Sequence, residues 1–281
     1  MDFGAMMFST DYSIRPDDLA KMLEDRGFES MWVPEHTHIP ADRTSPWPGG
    51  PDLPKDYWHT YDPFLALTAA AGVTTNLKLG TGICLMIERD PITTAKEVAT
   101  LDMLSRGRFI FGIGGGWNAE EMGNHGTNFK QRWRILREKI LAMKAIWTQE
   151  ESEFHGDHVN FDKMWAYPKP VQRPHPPILM GGDGPTTFDR VVEYCDGWMP
   201  IGGRGSGGAS LAEKIVLLKR QAEEAGRDPD SLNITSFGIR PDPDLIGRMR
   251  EAGVDRVIFT LPSQERAEVT PLIDECAKLI S

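Results

Sequence analysis

The chain predicts an α/β fold, a (β/α)8 TIM barrel with an insertion between helix 4 and strand 5. Three observations carry this reading. Short apolar runs alternate eight times with helical patterns, and such alternation means a parallel sheet. The length of 281 residues suits one closed barrel, which takes about 250, better than two small domains. Finally, strand ends dissolve into glycine again and again, at Gly80 and Gly82, at 112–116, at 181–184 and at 202–208. One domain spanning 1–281 is expected.

The elements follow in order. A first strand at 2–8 runs into polar residues. A helix at 16–26 starts on Pro16, carries Asp17 and Asp18 in its first turn and stops at Gly27. The second strand, 30–34, ends in Glu35 and His36. The segment 36–61 is rich in Pro, Trp and Asp and has no period, yet its aromatic residues argue against disorder. Asp62 caps a helix that begins on Pro63 and runs to 75. The third strand (77–85), a helix (91–105) and the fourth strand (108–113) follow. A strong helix spans about 129–148, with Ile135, Leu136, Ile140, Met143 and Ile146 at helical spacing. Residues 151–177, carrying five prolines, form an irregular excursion with a small hairpin around Gly156. Alternation then resumes: strands at 178–180, 197–201, 232–238 and 256–261, with helices ending at 194, 225, 252 and 279.

Composition narrows the function. Apolar residues make up 40% and charged residues 26%, the balance of a soluble globular protein, and the net charge is −10. An acidic chain without a basic stripe is a poor partner for nucleic acid or an anionic membrane. Three scattered cysteines, Cys84, Cys195 and Cys276, offer neither a disulfide framework nor metal-ligand spacing. Neither a signal peptide nor a membrane span is legible, so a cytoplasmic protein is expected.

The glycine run Gly112-Ile113-Gly114-Gly115-Gly116-Trp117 invites a dinucleotide-fingerprint reading and fails it. Trp117 stands where the third glycine should be, and the run follows the fourth strand rather than the first. Two readings remain: a turn that packing requires, or a close approach to a bound cofactor at the C-terminal face, where barrel active sites lie. The turn Gly181, Gly182, Asp183, Gly184, Pro185, Thr186 precedes a helix N-terminus suited to phosphate; an ordinary βα turn is the alternative. Glu35 and His36 are the acid–base candidates, because histidine titrates near neutrality. His38 and His59 lie nearby, and His155, His158 and His175 lack metal-ligand spacing. Residues 202–208 form either a cofactor-covering lid, with Arg204 reaching an anionic tail, or a solvent loop.

Taken together, these runs resemble the bacterial luciferase-like superfamily, and more closely its coenzyme F420-dependent oxidoreductases. The resemblance rests on 28–36 (FESMWVPEH), 79–83 (LGTGI), 89–91 (RDP), 105–109 (SRGRF), 112–118 (GIGGGWN), 168–170 (PKP) and 195–198 (CDGW). It implies a barrel with a flavin or deazaflavin at the C-terminal face, often in a homodimer. It also implies a non-proline cis peptide at Gly82-Ile83 behind the ring. Gly115 and Gly116 then correspond to contacts along the cofactor tail, and the 181–186 turn to phosphate contacts. Thr81 and Asn118 complete the expected cofactor set. Glu35 and His36 match the acid–histidine pair beside the ring. Trp117 departs from the sugar-phosphate dehydrogenase branch, where a catalytic glutamate follows the fourth-strand glycines, which argues against glucose 6-phosphate as substrate.

The expected activity is hydride exchange between F420 and a small organic substrate. His36 handles the proton, Glu35 fixes the imidazole or the ring edge, and Trp47, Trp58 and Trp117 line an apolar pocket. The alternatives are an FMN-dependent luciferase-like monooxygenase fed by a separate reductase, and a non-catalytic F420-binding or carrier protein. No metal is expected.

Overall fold

The computed structural model describes residues 1–202 and 210–280. Its eight barrel strands are β1 (Asp2–Met6), β2 (Ser30–Val33), β3 (Lys78–Thr81), β4 (Phe109–Ile113), β7 (Ile178–Gly181), β8 (Gly197–Met199), β9 (Asn233–Ile239) and β10 (Arg256–Thr260). All neighbours are parallel, and the ring closes in the order β1-β10-β9-β8-β7-β4-β3-β2. The (β/α)8 expectation therefore holds. Between them run α1 (Pro16–Asp25), α3 (Pro63–Val73), α4 (Pro91–Leu104), α6 (Arg132–Thr148), α7 (Thr187–Tyr194), α8 (Leu211–Glu224), α9 (Pro243–Glu251) and α10 (Arg266–Ala277). The excursion after α6 carries the antiparallel hairpin β5 (Ser152–His155) and β6 (Asn160–Met164).

Local chemistry sets the helix starts. Asp62 accepts from Leu65 N at 3.0 Å and Asp90 from Thr93 N at 2.7 Å, each directly before a helix-opening proline. Two short helices, α2 (Asp56–His59) and α5 (Ala119–Asn124), arise where the sequence showed no period. The segment 36–61 is also tied down. Tyr12 Oη donates to Asp56 Oδ1 at 2.8 Å, and Tyr61 N donates to Ser9 O at 2.7 Å. Burial and the Asp56 carboxylate push the Tyr12 phenol up to about 12. Among the described residues no helix is long and apolar enough to cross a membrane.

The barrel interior explains several glycines. The fully buried Trp32 indole lies across the strands, its Nε1 donating to Ser30 Oγ at 2.8 Å. A Cβ on Gly80 would stand 2.3 Å from Trp32 Cε3, and one on Gly4 would stand 3.0 Å from Trp32 Nε1. A Cβ on Gly112 would meet the Thr81 carbonyl oxygen at 2.0 Å. For Gly80 and Gly112 packing is thus the reason, and no ligand is needed to account for them.

Candidate active site

The end of β2 carries Glu35 and His36 into the barrel mouth, and there they part. His36 is 9% exposed and its Nδ1 lies 2.7 Å from Oε2 of the fully buried Glu121, on α5. The other Glu121 oxygen accepts from Thr37 N at 3.1 Å. Glu35 instead accepts from Leu85 N at 2.6 Å and from Arg89 Nε at 2.6 Å. Arg89 also reaches Asp62 at 2.6 Å and Glu97 at 3.1 Å. The expectation that Glu35 fixes the imidazole is corrected: consecutive residues of an extended strand point to opposite sides, so neighbours in sequence cannot both face one target. Glu121 holds His36, and Glu35 anchors the turn after β3. A carboxylate on Nδ1 favours the tautomer with its proton there, leaving Nε2 to a ligand; Nε2 has no hydrogen-bond partner among the described residues.

Above this pair opens a cavity of about 690 Å³ with Trp47, Tyr57, Trp117, Phe8 and Phe237 in its walls. The His36 ring lies 5.0 Å from Tyr57 and 5.8 Å from Trp117, centroid to centroid, so the imidazole packs against two of the aromatic rings that wall the cavity. Arg240 and Asp242 supply the charge at the rim. Trp47 and Trp117 stand where expected. Trp58 does not: it is 49% exposed and lines a separate surface depression with Ile39, Arg43 and Leu53.

The proposed cofactor residues divide similarly. The Gly82-Ile83 peptide is cis. A Cβ on Gly114 would meet Ile83 Cδ1 at 2.0 Å and one on Gly181 would meet Ile83 Cγ2 at 2.8 Å, so the glycines of two neighbouring strands make room for Ile83. Gly115 lies against the Trp133 ring, where a Cβ would come within 2.6 Å, and Gly116 adopts φ +63°. Thr81 and Asn118 are engaged within the protein, although Asn118 Nδ2 meets no acceptor among the described residues. Thr81 is fully buried and donates to Gly112 O at 2.7 Å, while Asn118 is 1% exposed and caps α5 through Glu121 N at 3.2 Å. In the 181–186 turn, Gly182 has φ +113° and open space at its Cβ position, Asp183 accepts from Lys214 Nζ at 2.6 Å, and Gly184, Pro185 and Thr186 are exposed before α7. Of the 202–208 segment only Gly202 belongs to the described residues, and it lines the cavity; Arg204 lies outside them.

Two arginines flank the Trp133 ring that packs on Gly115. Arg190 on α7 lies 3.9 Å above the Trp133 ring and Arg132 lies 5.2 Å from it. Neither has a carboxylate within ion-pair distance among the described residues, and Arg132 Nε is buried with no acceptor. Each guanidinium pKa is pushed down, first by burial and, for Arg132, also by its neighbour Arg190. Partly buried cations without anions are costly and suit a ligand that brings negative charge. The residues present therefore fit a cofactor with an anionic tail.

The model of the luciferase-like monooxygenase family matches residues 15–240. The chain belongs to that family. An uncharacterized Mycobacterium tuberculosis protein is 39% identical over 281 residues, covering 99% of this chain and 98% of its own. An F420-dependent hydroxymycolic acid dehydrogenase of M. tuberculosis is 28% identical over 216 residues, 76% of this chain and 55% of its own. An FMNH2-dependent dimethylsulfone monooxygenase of Pseudomonas putida is 35% identical over 157 residues, 55% of this chain and 42% of its own. Among solved structures, monooxygenase RslO1 from Streptomyces bottropensis superposes with a TM-score of 0.82 at 18% identity, covering 100% of this chain and 98% of that one. Luciferase-like relatives thus include both F420-dependent and FMN-dependent oxidoreductases.

Sequence reasoning had passed over four residues of this luciferase-like site: Glu121, Tyr57, Arg132 and Arg190. For Glu121 a signal existed. Asn118-Ala119-Glu120-Glu121 has the spacing of an N-cap followed by a glutamate at the third helical position. Here that glutamate turns to His36 instead of back to the cap. Nothing comparable marks the other three.

Proposed function

We propose that the protein is an F420-dependent oxidoreductase that exchanges a hydride with a small organic substrate. The observation that carries the choice of cofactor is the Arg132–Trp133–Arg190 stack beside Gly115. F420 ends in a phosphodiester and glutamate carboxylates, a longer anionic tail than the single phosphate of FMN, and two unpaired arginines suit it. The relative that uses F420 supports the same reading. When bound, the deazaflavin supplies the hydride donor or acceptor.

The chain's own residues do the rest. Ile83, Gly115, Gly116 and the 181–186 turn hold the cofactor, and the arginines bind its tail. Trp47, Tyr57 and Trp117 exclude water and orient an apolar substrate. Glu121 fixes the imidazole of His36, and Nε2 gives a proton to the substrate oxygen or takes one from it. Spectral titration tests the assignment. F420 binding is expected at micromolar concentration, weakened about 10-fold by Arg132→Ala or Arg190→Ala, the loss of roughly one charge-assisted hydrogen bond. FMN binding with none of F420 overturns it.

The P. putida relative favours a second reading, an FMN-dependent monooxygenase supplied by a separate reductase. Turnover that requires oxygen would identify it. A carrier protein without catalysis would bind F420 tightly, and His36→Ala would leave whatever background activity a substrate panel shows unchanged. We further propose a homodimer formed through α3 and α4, which pack side by side and leave Leu65, Val73, Ile92, Met103 and Leu104 exposed. Sedimentation of Leu65→Glu should then show a monomer.

A further inference from the structure

Behind His36 lies a buried acid that the proposed chemistry leaves unused. Glu88 ends the 3-10 turn Met86–Glu88 that follows β3, and its side chain is 1% exposed. Neither of its carboxyl oxygens meets an N–H or O–H donor among the described residues. Charged and titratable groups face it from every side, yet the cations are occupied. Arg89, next in the chain, is shared by Glu35, Asp62 and Glu97. Lys139 from α6 donates to the carbonyl oxygens of Met86, Ile87 and Arg89 at 3.1, 3.2 and 2.7 Å. His125, at the end of α5, places Nε2 4.0 Å from Glu88 Oε2, and the same nitrogen lies 2.7 Å from Thr37 Oγ1. His38 stands beside His125, ring centroids 5.5 Å apart. The remaining neighbours are acids, Glu121 from α5 and Glu35 from the end of β2. Among the described residues no three of these groups converge as metal ligands.

Three buried carboxyl groups thus have one arginine, already divided among three acids, and two imidazoles, His36 bound to Glu121 and His125 bound to Thr37. Ionising all three would leave an uncompensated charge in a water-poor interior, and a buried acid in that position keeps its proton. We propose that Glu88 is a positioning residue that acts as a neutral carboxylic acid, sharing its proton with Glu121 so that a single negative charge faces the imidazole of His36. This rests on His36 being the proton-handling group. Burial first, then repulsion from Glu121 and Glu35, push the Glu88 carboxyl up to about 9. Two paired carboxyls that hold one proton behave as one acid.

The arrangement has a chemical consequence. With Glu88 protonated, Glu121 presents one charge to Nδ1, and Nε2 can release or accept its proton. Once Glu88 ionises, a second charge stands behind the imidazole, the ring holds its proton more tightly, and the carboxyls repel each other. Proton transfer at Nε2 then falls away on the alkaline side. Glutamine at position 88 has the shape and neutrality of the protonated acid and cannot ionise.

Infrared titration of the protein without cofactor tests this directly. The expected result is a protonated-carboxyl C=O band at neutral pH that bleaches with a midpoint near the pushed-up value of about 9 and is missing from Glu88→Gln. The 15N shifts of the His36 imidazole should move with the same midpoint in the parent and not in the variant. With cofactor and substrate, Glu88→Gln should keep turnover within about 3-fold at neutral pH and lose the alkaline limb of its pH profile. A band that persists in full in Glu88→Gln, or no such band at neutral pH in the parent, overturns the proposal; the second outcome needs no variant to fold. A band that behaves as expected while His36→Ala retains full turnover places the failure in the role given to His36, not in the proton on Glu88.

Discussion

His36 Nδ1 meets Glu121 Oε2 at 2.7 Å across 85 residues of chain, joining the end of β2 to a six-residue helix after β4. The contact fixes which imidazole nitrogen is engaged by the protein, and Nε2 stays without a partner among the described residues. In Glu121→Gln the shape is kept, but the side-chain amide can present N–H to Nδ1 and so hold the wrong tautomer. The expected outcome is a fall of about 10²-fold in single-turnover hydride transfer, with cofactor affinity changed by less than about 3-fold. A parent-like transfer rate in a correctly folded Glu121→Gln would remove Glu121 from the proton path.

The barrel was legible because its signal is repeated: eight apolar runs, each followed by a helical pattern, several of which open on a cap or a proline, as at Asp62-Pro63 and Asp90-Pro91. The site was legible only where one residue type carries the chemistry. His36 and the cavity residues Trp47 and Trp117 could be named, but the partner of His36 could not. Six residues are too few to show a 3.6-residue period, so α5 and its Glu121 stayed hidden. Glu35 was paired with His36 because they are adjacent, although adjacency on a strand argues the opposite. Glycines announce missing side chains without saying what fills the space. At Gly80 it is the indole of Trp32, at Gly114 the side chain of Ile83.

Glu35 should matter for stability more than for chemistry. Its carboxylate, 1% exposed, holds Leu85 N and Arg89, so Glu35→Ala strands a largely buried guanidinium. Breaking one partner of such a pair costs about 3–5 kcal/mol; Asp62 and Glu97 remain on Arg89, so the lower end is expected. Chemical denaturation measures it. At a temperature where the variant is folded, a kcat close to that of the parent should accompany the loss.

Gly80 and Trp32 should show strong coupling. Gly80→Ala drives a methyl to 2.3 Å from Trp32 Cε3 inside the closed ring, where neither group can move out of the way. Overpacking of this kind costs about 1–3 kcal/mol. Trp32→Leu alone also destabilises, by opening a cavity. The double variant should be more stable than the sum of the two single losses predicts, by about 1 kcal/mol in a denaturation cycle. Simple additivity would mean that the interior gives way at Gly80 for some other reason.

The buried acid Glu88 makes stability fall as pH rises. Its carboxyl, ordinarily near 4.5, stays protonated in the folded chain up to about 9. Between those values the folded state holds a proton that the unfolded state has released, so raising the pH favours unfolding through this window and has no further effect above it. Glu88→Gln removes the term. The variant should gain on the parent steadily from about pH 5 to about pH 8, at about 1.4 kcal/mol per pH unit and so by about 4 kcal/mol in all, or roughly 10 °C in Tm for a chain of this size. Differential scanning calorimetry of both proteins across that range gives the answer. A constant Tm difference would mean that Glu88 is ionised in the fold, and the single charge facing His36 would then need another source.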